Sequence, residues 1–263
     1  MPRPGVLPQH ARLIERAVAR FRTEPDVAAL VVGGSVAHGL ARPDSDVDFI
    51  LVVDDAALAA RPALNFADAT LADYDGGYAD VKVVSEPFFA EVAARGSEPA
   101  RWALLGAFPA WSRLEEIEAA LAAASAYPEA ERETKIHDFA AHTAIAAWFL
   151  GEAEKRSDRY LAAYASSRLV LWAGRALLAH NRRLYPFHKW FLAEVGRCDE
   201  LPAGFLARLD RMLAAPDGGL AAELVAVVHD AVGVHPSIAE SAASFMRRTE
   251  WSWRAGGSAF DDA

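Results

Sequence analysis

Val31-Val32-Gly33-Gly34-Ser35, followed by Ser45-Asp46-Val47-Asp48-Phe49-Ile50-Leu51-Val52-Val53, decides how this chain is read. Ala28 to Val32 is a short, apolar, β-branched segment that stops at two glycines, the pattern of a buried strand entering a tight turn. Glycine tolerates positive φ and lets a backbone come close to a ligand. Ser35 stands where it can cap a short helix over Val36-Ala37-His38. The free amides of such a terminus, with the Ser35 hydroxyl, seat phosphate oxygens. His38 is placed either to contact substrate or to cap the turn, and Gly39 and Pro43 close the element.

Asp46 and Asp48 are separated by one residue at the head of an apolar run. Side chains alternate along a strand, so both carboxylates share one face and Val47 and Phe49 take the other. Neighbouring carboxylates repel. Mg²⁺ relieves that repulsion, because it takes oxygen ligands and keeps water and phosphate in its shell. Gly76-Gly77 precede a second strand pattern, Tyr78-Ala79-Asp80-Val81-Lys82-Val83-Val84, in which Asp80 and Lys82 share a face. Paired beside the first acidic strand, Asp80 becomes a third carboxylate, either a metal ligand or the base for an attacking hydroxyl. Taken singly, the glycines read as a turn and Asp44-Ser45-Asp46 as a loop. Together they demand a role, since acids are depleted from strands and costly to bury unpaired.

The order hydrophobic-Gly-Gly-Ser, then Asp-hydrophobic-Asp-hydrophobic, resembles the signature of the DNA polymerase β-like nucleotidyltransferase superfamily. Within it the chain is most similar to the bacterial small-molecule enzymes of aminoglycoside and lincosamide type. The likeness extends to about residue 110. It implies an α/β (α+β) nucleotidyltransferase sheet with flanking helices, followed by an α-helical bundle domain. It also implies Mg²⁺ on Asp46, Asp48 and Asp80, and a triphosphate on Gly33, Gly34 and Ser35, with Ser45 grouped among the nucleotide-binding residues. The implied reaction moves AMP from ATP to a hydroxyl of a small-molecule acceptor and releases pyrophosphate. Two other outcomes stay open: a regulator or antitoxin-like enzyme that nucleotidylylates protein, and a non-catalytic nucleotide-binding module.

Composition narrows the partners. The chain has 263 residues, of which 53% are hydrophobic, enough for two cored domains. A net charge of −9 argues against a broad nucleic-acid footprint and favours a small substrate, a cationic one among the candidates. Cys198 stands alone, which excludes an intramolecular disulfide and marks it as a packed residue. There is no N-terminal apolar segment of signal-peptide form, and no run approaches the ~20 apolar residues that cross a bilayer. A cytoplasmic protein with no membrane partner is expected, and nothing argues for an oligomer.

Three parts are expected: a catalytic domain over 1–111, a helical substrate-selecting domain over 112–255 and a flexible tail over 256–263. Gln9–Arg22 reads as an amphipathic helix, residues 55–76 as a helix with a loop, Glu86–Ala94 as a helix and Ala107–Trp111 as a strand. Ser112 with Glu115 forms a capping-box pattern before Leu114–Ala124. Further helices are expected at Glu129–Lys155, Asp158–Asn181, Phe187–Val195, Gly204–Ala214 and Leu220–Val232. A last one starts at a second capping box, Ser237 with Glu240, and the short connections imply an antiparallel bundle.

Lys189, one of four lysines, sits among aromatics in the segment Asn181–Trp190. It is expected to bind nucleotide: Lys189 or Arg182 would neutralise triphosphate charge, and Tyr185 would pack on a base. The spacing of His137 and His142 puts them on different helix faces. Trp251 and Trp253 are expected against the bundle. Glu131, Glu133 and Asp138 are either solvated or presented to a cationic substrate.

Overall fold

The chain forms two compact units, Met1–Ala126 and Tyr127–Ala263, in a computed structural model that describes residues 5–61 and 63–255. In the first unit α1 (Pro8–Phe21) leads to β1 (Val27–Val32), α2 (Gly34–Ala37), β2 (Val47–Val53), α3 (Asp55–Ala60) and β3 (Asn65–Asp68). β4 (Ala79–Ser85), α4 (Pro87–Arg95), α5 (Glu98–Leu104), β5 (Phe108–Ser112) and α6 (Ile117–Ala124) complete it. The strands form one mixed sheet in the order β3-β4-β2-β1-β5. β1 is antiparallel to β2 and β5, and β3 is antiparallel to β4. β2 and β4 run parallel, in a register that sets Asp48 opposite Asp80 and Ile50 opposite Lys82.

Helices cover both faces of this sheet, which explains why β2 is an almost unbroken apolar run. Val47, Phe49, Leu51 and Val53 share a cluster with Leu13, Ala17 and Phe21 of α1. Ile50 and Val52 share the opposite one with Phe89 and Val92 of α4, Leu104 of α5 and Leu121 of α6. Phe49 is fully buried, which contributes roughly 1.5–3 kcal/mol.

Two expectations change here. Residues 55–76 contain not only a short helix but also the edge strand β3 and a 3-10 turn at Ala69–Leu71. Four residues with alternating exposure are too little pattern to announce a strand. The Ser112–Glu115 capping box does not form: Ser112 lies in β5, its hydroxyl accepts the Leu114 amide at 2.9 Å, and α6 begins at Ile117. The first compact unit runs to Ala126, and Ile117, Leu121 and Ala124 of α6 join the core on the α4 side of the sheet.

The second unit holds α7 (Arg132–Arg156), α8 (Arg159–His180), α9 (Phe191–Val195), α10 (Phe205–Ala214), α11 (Gly218–Val232) and α12 (Ile238–Arg248). α7 and α8 form a hairpin turned at Ser157, whose φ is 53°, and Asp158 caps α8 by accepting the Leu161 amide at 3.0 Å. The Arg175 guanidinium is buried in the core, 4.3 Å from the Phe139 ring centroid and 4.6 Å from that of Tyr185. At α12 the capping box does form. The Ser237 amide donates to Glu240 Oε2 at 2.8 Å, and the Glu240 amide donates to Ser237 Oγ at 3.3 Å. Asp138 is neither solvated nor offered to a substrate; it is buried and accepts from Ser244 Oγ and Arg248 Nη2, each at 2.7 Å, tying α12 to α7. Trp251 and Trp253 are 46% and 73% exposed, not packed away. No described helix is long and apolar enough to cross a membrane. The expected tail at 256–263 lies outside the described residues.

Candidate active site

The site forms where the parallel pair β2–β4 meets the turn between β1 and α2. The turn is held to the strand by backbone, since the Gly33 amide donates to the Asp48 carbonyl at 2.9 Å. Gly34 follows with φ +59°, and a Cβ there would collide with the Asp48 carboxylate. Only glycine satisfies both conditions, and its small size lets the acid lie against the turn. The first amides of α2 have no preceding turn to bond, so they remain available beside Asp48 together with the partly buried Ser35.

Across the strand pair Asp48 faces Asp80, and Lys82 follows Asp80 on the same face. The Lys82 ammonium lies 3.1 Å from Asp48 Oδ1 and 2.9 Å from Asp80 Oδ2. Burial opposes its charge, yet the hydrogen bonds and charges of Asp80 and Asp48 prevail and raise its pKa. Asp46 lies just outside the strand and meets Tyr78. The Tyr78 hydroxyl is held above its ordinary pKa first by its hydrogen bond to Asp46, then by the charge of Asp46 and by burial, with Asp80 and Asp48 adding to the shift.

The loop that carries Asp46 is fastened from below. Tyr74 donates its hydroxyl to the Ser45 carbonyl at 2.7 Å, and the Gln9 side chain donates to the Pro43 carbonyl at 3.1 Å. Ser45 Oγ accepts the Arg42 amide at 2.9 Å, which turns this hydroxyl towards its own loop. His10 is fully buried, edge-on to Tyr74 with ring centroids 5.6 Å apart. Burial lowers its pKa, against a hydrogen bond to the Ser45 backbone and the charge of Asp46, which raise it. A neutral imidazole therefore packs under the acidic loop.

The structure thus brings Gly33, Gly34, Asp48, Asp80 and Lys82 together, with Asp46 and Ser35 at the rim. His38 stacks on Trp102, with centroids 3.9 Å apart, and its Nε2 is buried. Lys189 belongs to the second unit, where its Nζ lies 5.5 Å from the Trp190 ring centroid. Tyr185 is 1% exposed in the core, so it cannot stack on a base, and Arg182 is paired with Glu129 at 3.0 Å. Cys198 is buried and its thiol is pushed up to about 11, first by burial, which makes it inert. Tyr74, Tyr78 and His10 were missed as site residues. Tyr78 had a signal, since it alternates onto the face of Asp80 and Lys82.

The donor set suits a hard divalent cation. Among the described residues no group of three or more His, Cys, Asp or Glu side chains converges on one point. Two carboxylates suffice for Mg²⁺, which fills its remaining positions with water and phosphate. The Asp48–Asp80 pair already attracts one cation, the Lys82 ammonium. A cavity of about 1050 Å³ opens at the other end of β2, beside Val53. Its rim carries Asp54, Asp55, Glu86, Glu115 and Glu116, whose charges repel a triphosphate.

Residues 12–89 match the model of the nucleotidyltransferase domain, and residues 111–191 match a domain of unknown function (DUF4037). Among solved structures the chain is similar to a nucleotidyltransferase-like protein from Exiguobacterium sibiricum, at 8% identity and a TM-score of 0.49. That alignment covers 84% of this chain and 73% of the other. Among curated proteins the chain has no match. With the mixed sheet, the glycine turn and the facing acids in place, residues 12–89 form a nucleotidyltransferase domain of the DNA polymerase β-like superfamily.

Proposed function

We propose that the protein is a Mg²⁺-dependent nucleotidyltransferase that moves AMP from ATP to a hydroxyl of a small-molecule acceptor. The observation that carries this reading is the in-register facing of Asp48 and Asp80 on parallel strands beside Gly34. The Gly33–Ser35 turn seats the phosphates. Asp48 and Asp80, with Asp46 at the rim, would hold the metal, which when bound neutralises charge on the α-phosphate and on the departing pyrophosphate. The acceptor oxygen forms the new bond to the α-phosphorus while the bond to the bridging oxygen breaks. Asp80 receives the hydroxyl proton, and pyrophosphate leaves. An acidic chain with one cysteine suits the cytoplasm, where we place this activity.

The test is label transfer from α-labelled ATP in Mg²⁺ buffer across aminoglycosides, lincosamides and candidate proteins. Label on a small molecule, with one pyrophosphate released per transfer, is the expected result. Label on protein would reassign the acceptor. ATP bound without label transfer to any acceptor would reduce the protein to a binding module and sink the proposal.

A further inference from the structure

We propose that Lys82 is a built-in cation of the Asp48–Asp80 pair, one that a divalent metal must displace and that then moves to the triphosphate. The phosphate half of this inference rests on the nucleotidyl-transfer reading; the metal half rests on geometry alone. Asp48 and Asp80 are register partners on adjacent strands, and strands lie only ~4.8 Å apart. Their charges repel unless a cation lies between them, and the Lys82 ammonium does so at 3.1 and 2.9 Å. A divalent ion attracted by the same oxygens competes with it directly.

Lys82 is equipped to leave. Its side chain is 52% exposed, and four flexible carbons carry a compact charge. An ammonium has three donors, and the two carboxylates take two of them; the third has no partner among the described residues. The glycine turn proposed to seat the phosphates lies against Asp48, one of the two carboxylates Lys82 bridges. A triphosphate arriving there offers the oxygens that replace the carboxylates as partners of Lys82. Metal and nucleotide therefore bind as a coupled pair: metal alone is resisted, and nucleotide removes the resistance.

The experiment titrates Mn²⁺, followed by its paramagnetic resonance, with and without a non-hydrolysable ATP analogue. The wild type binds Mn²⁺ weakly alone and about 5–150-fold more tightly with the analogue, the usual span of such coupling. Lys82→Met, and Lys82→Gln as a second variant, bind Mn²⁺ alone about tenfold more tightly than the wild type and lose most of the coupling. Lys82→Arg, which keeps the charge, stays weak. A folded Lys82→Met or Lys82→Gln with Mn²⁺ affinity equal to or below the wild type overturns the proposal. No turnover is involved, so failed label transfer with these affinities intact defeats only the proposed function. A wild type that binds no Mn²⁺ under either condition defeats both.

Discussion

Gly34 is the residue on which the site's geometry turns. Its positive φ and its closeness to the Asp48 carboxylate leave no room for a side chain. Gly34→Ala should displace Asp48 by a fraction of an ångström or more and lower turnover about 10²-fold, with the fold retained by circular dichroism; wild-type kinetics would show that the contact is incidental. Tyr74→Phe removes the hydroxyl that holds the Ser45 carbonyl and should cost about 1 kcal/mol in urea unfolding. Asp48 and Asp80 were legible because a strand repeats every second residue, so sequence spacing fixes their faces; Asp46 has the spacing but lies one residue before β2, where the strand period does not place it. The same period already put Lys82 beside Asp80. His10 and Tyr74 were not legible, since they reach the acidic loop from distant parts of the chain and no local pattern encodes that contact.

The elements divide the same way. β2, with six of its seven residues buried, was read at its true bounds, and β4 was read one residue early. β3 escaped because an edge strand needs no apolar run on its outer side. Ser112 with Glu115 had the spacing of a capping box but not its setting, since sheet pairing with β1 claimed Ser112 first. Ser237 with Glu240 had both, and Ser237→Ala should cost about 1 kcal/mol. The joint between α7 and α12 is stronger. Asp138→Ala removes the carboxylate that pairs with the half-exposed Arg248 guanidinium and accepts from Ser244 Oγ. A loss of about 1–2 kcal/mol is expected by calorimetry, below the range for a fully buried pair because the guanidinium is 44% exposed; no measurable loss would show a solvated, weak contact.

At the scale of the molecule, both units should respond to acid. Burial first lowers the pKa of His10 in the first unit and of His142 and His229 in the second, from an ordinary 6.5. Each folded pKa lies below its unfolded value, so the unfolded chain takes up protons more readily. Stability from these groups is complete above pH 6.5 and is lost as pH falls towards the folded values. The melting temperature should therefore drop between pH 7 and 5.5, and less steeply in His142→Asn. A flat profile would mean that these rings stay solvated. A mixed sheet followed by a helical region was legible because the hydrophobic period changes along the chain; that α6 packs with the sheet was not, because its sequence reads as one more helix. The central claim, phosphoryl chemistry at the facing acids, is tested most directly by Mg²⁺-dependent pyrophosphate release from ATP, with acceptor, in wild type, Asp48→Asn and Asp80→Asn. The account predicts release by the wild type, and losses of about 10²–10⁴-fold in the two variants at nearly unchanged melting temperature. Release at the wild-type rate by either folded variant would contradict it.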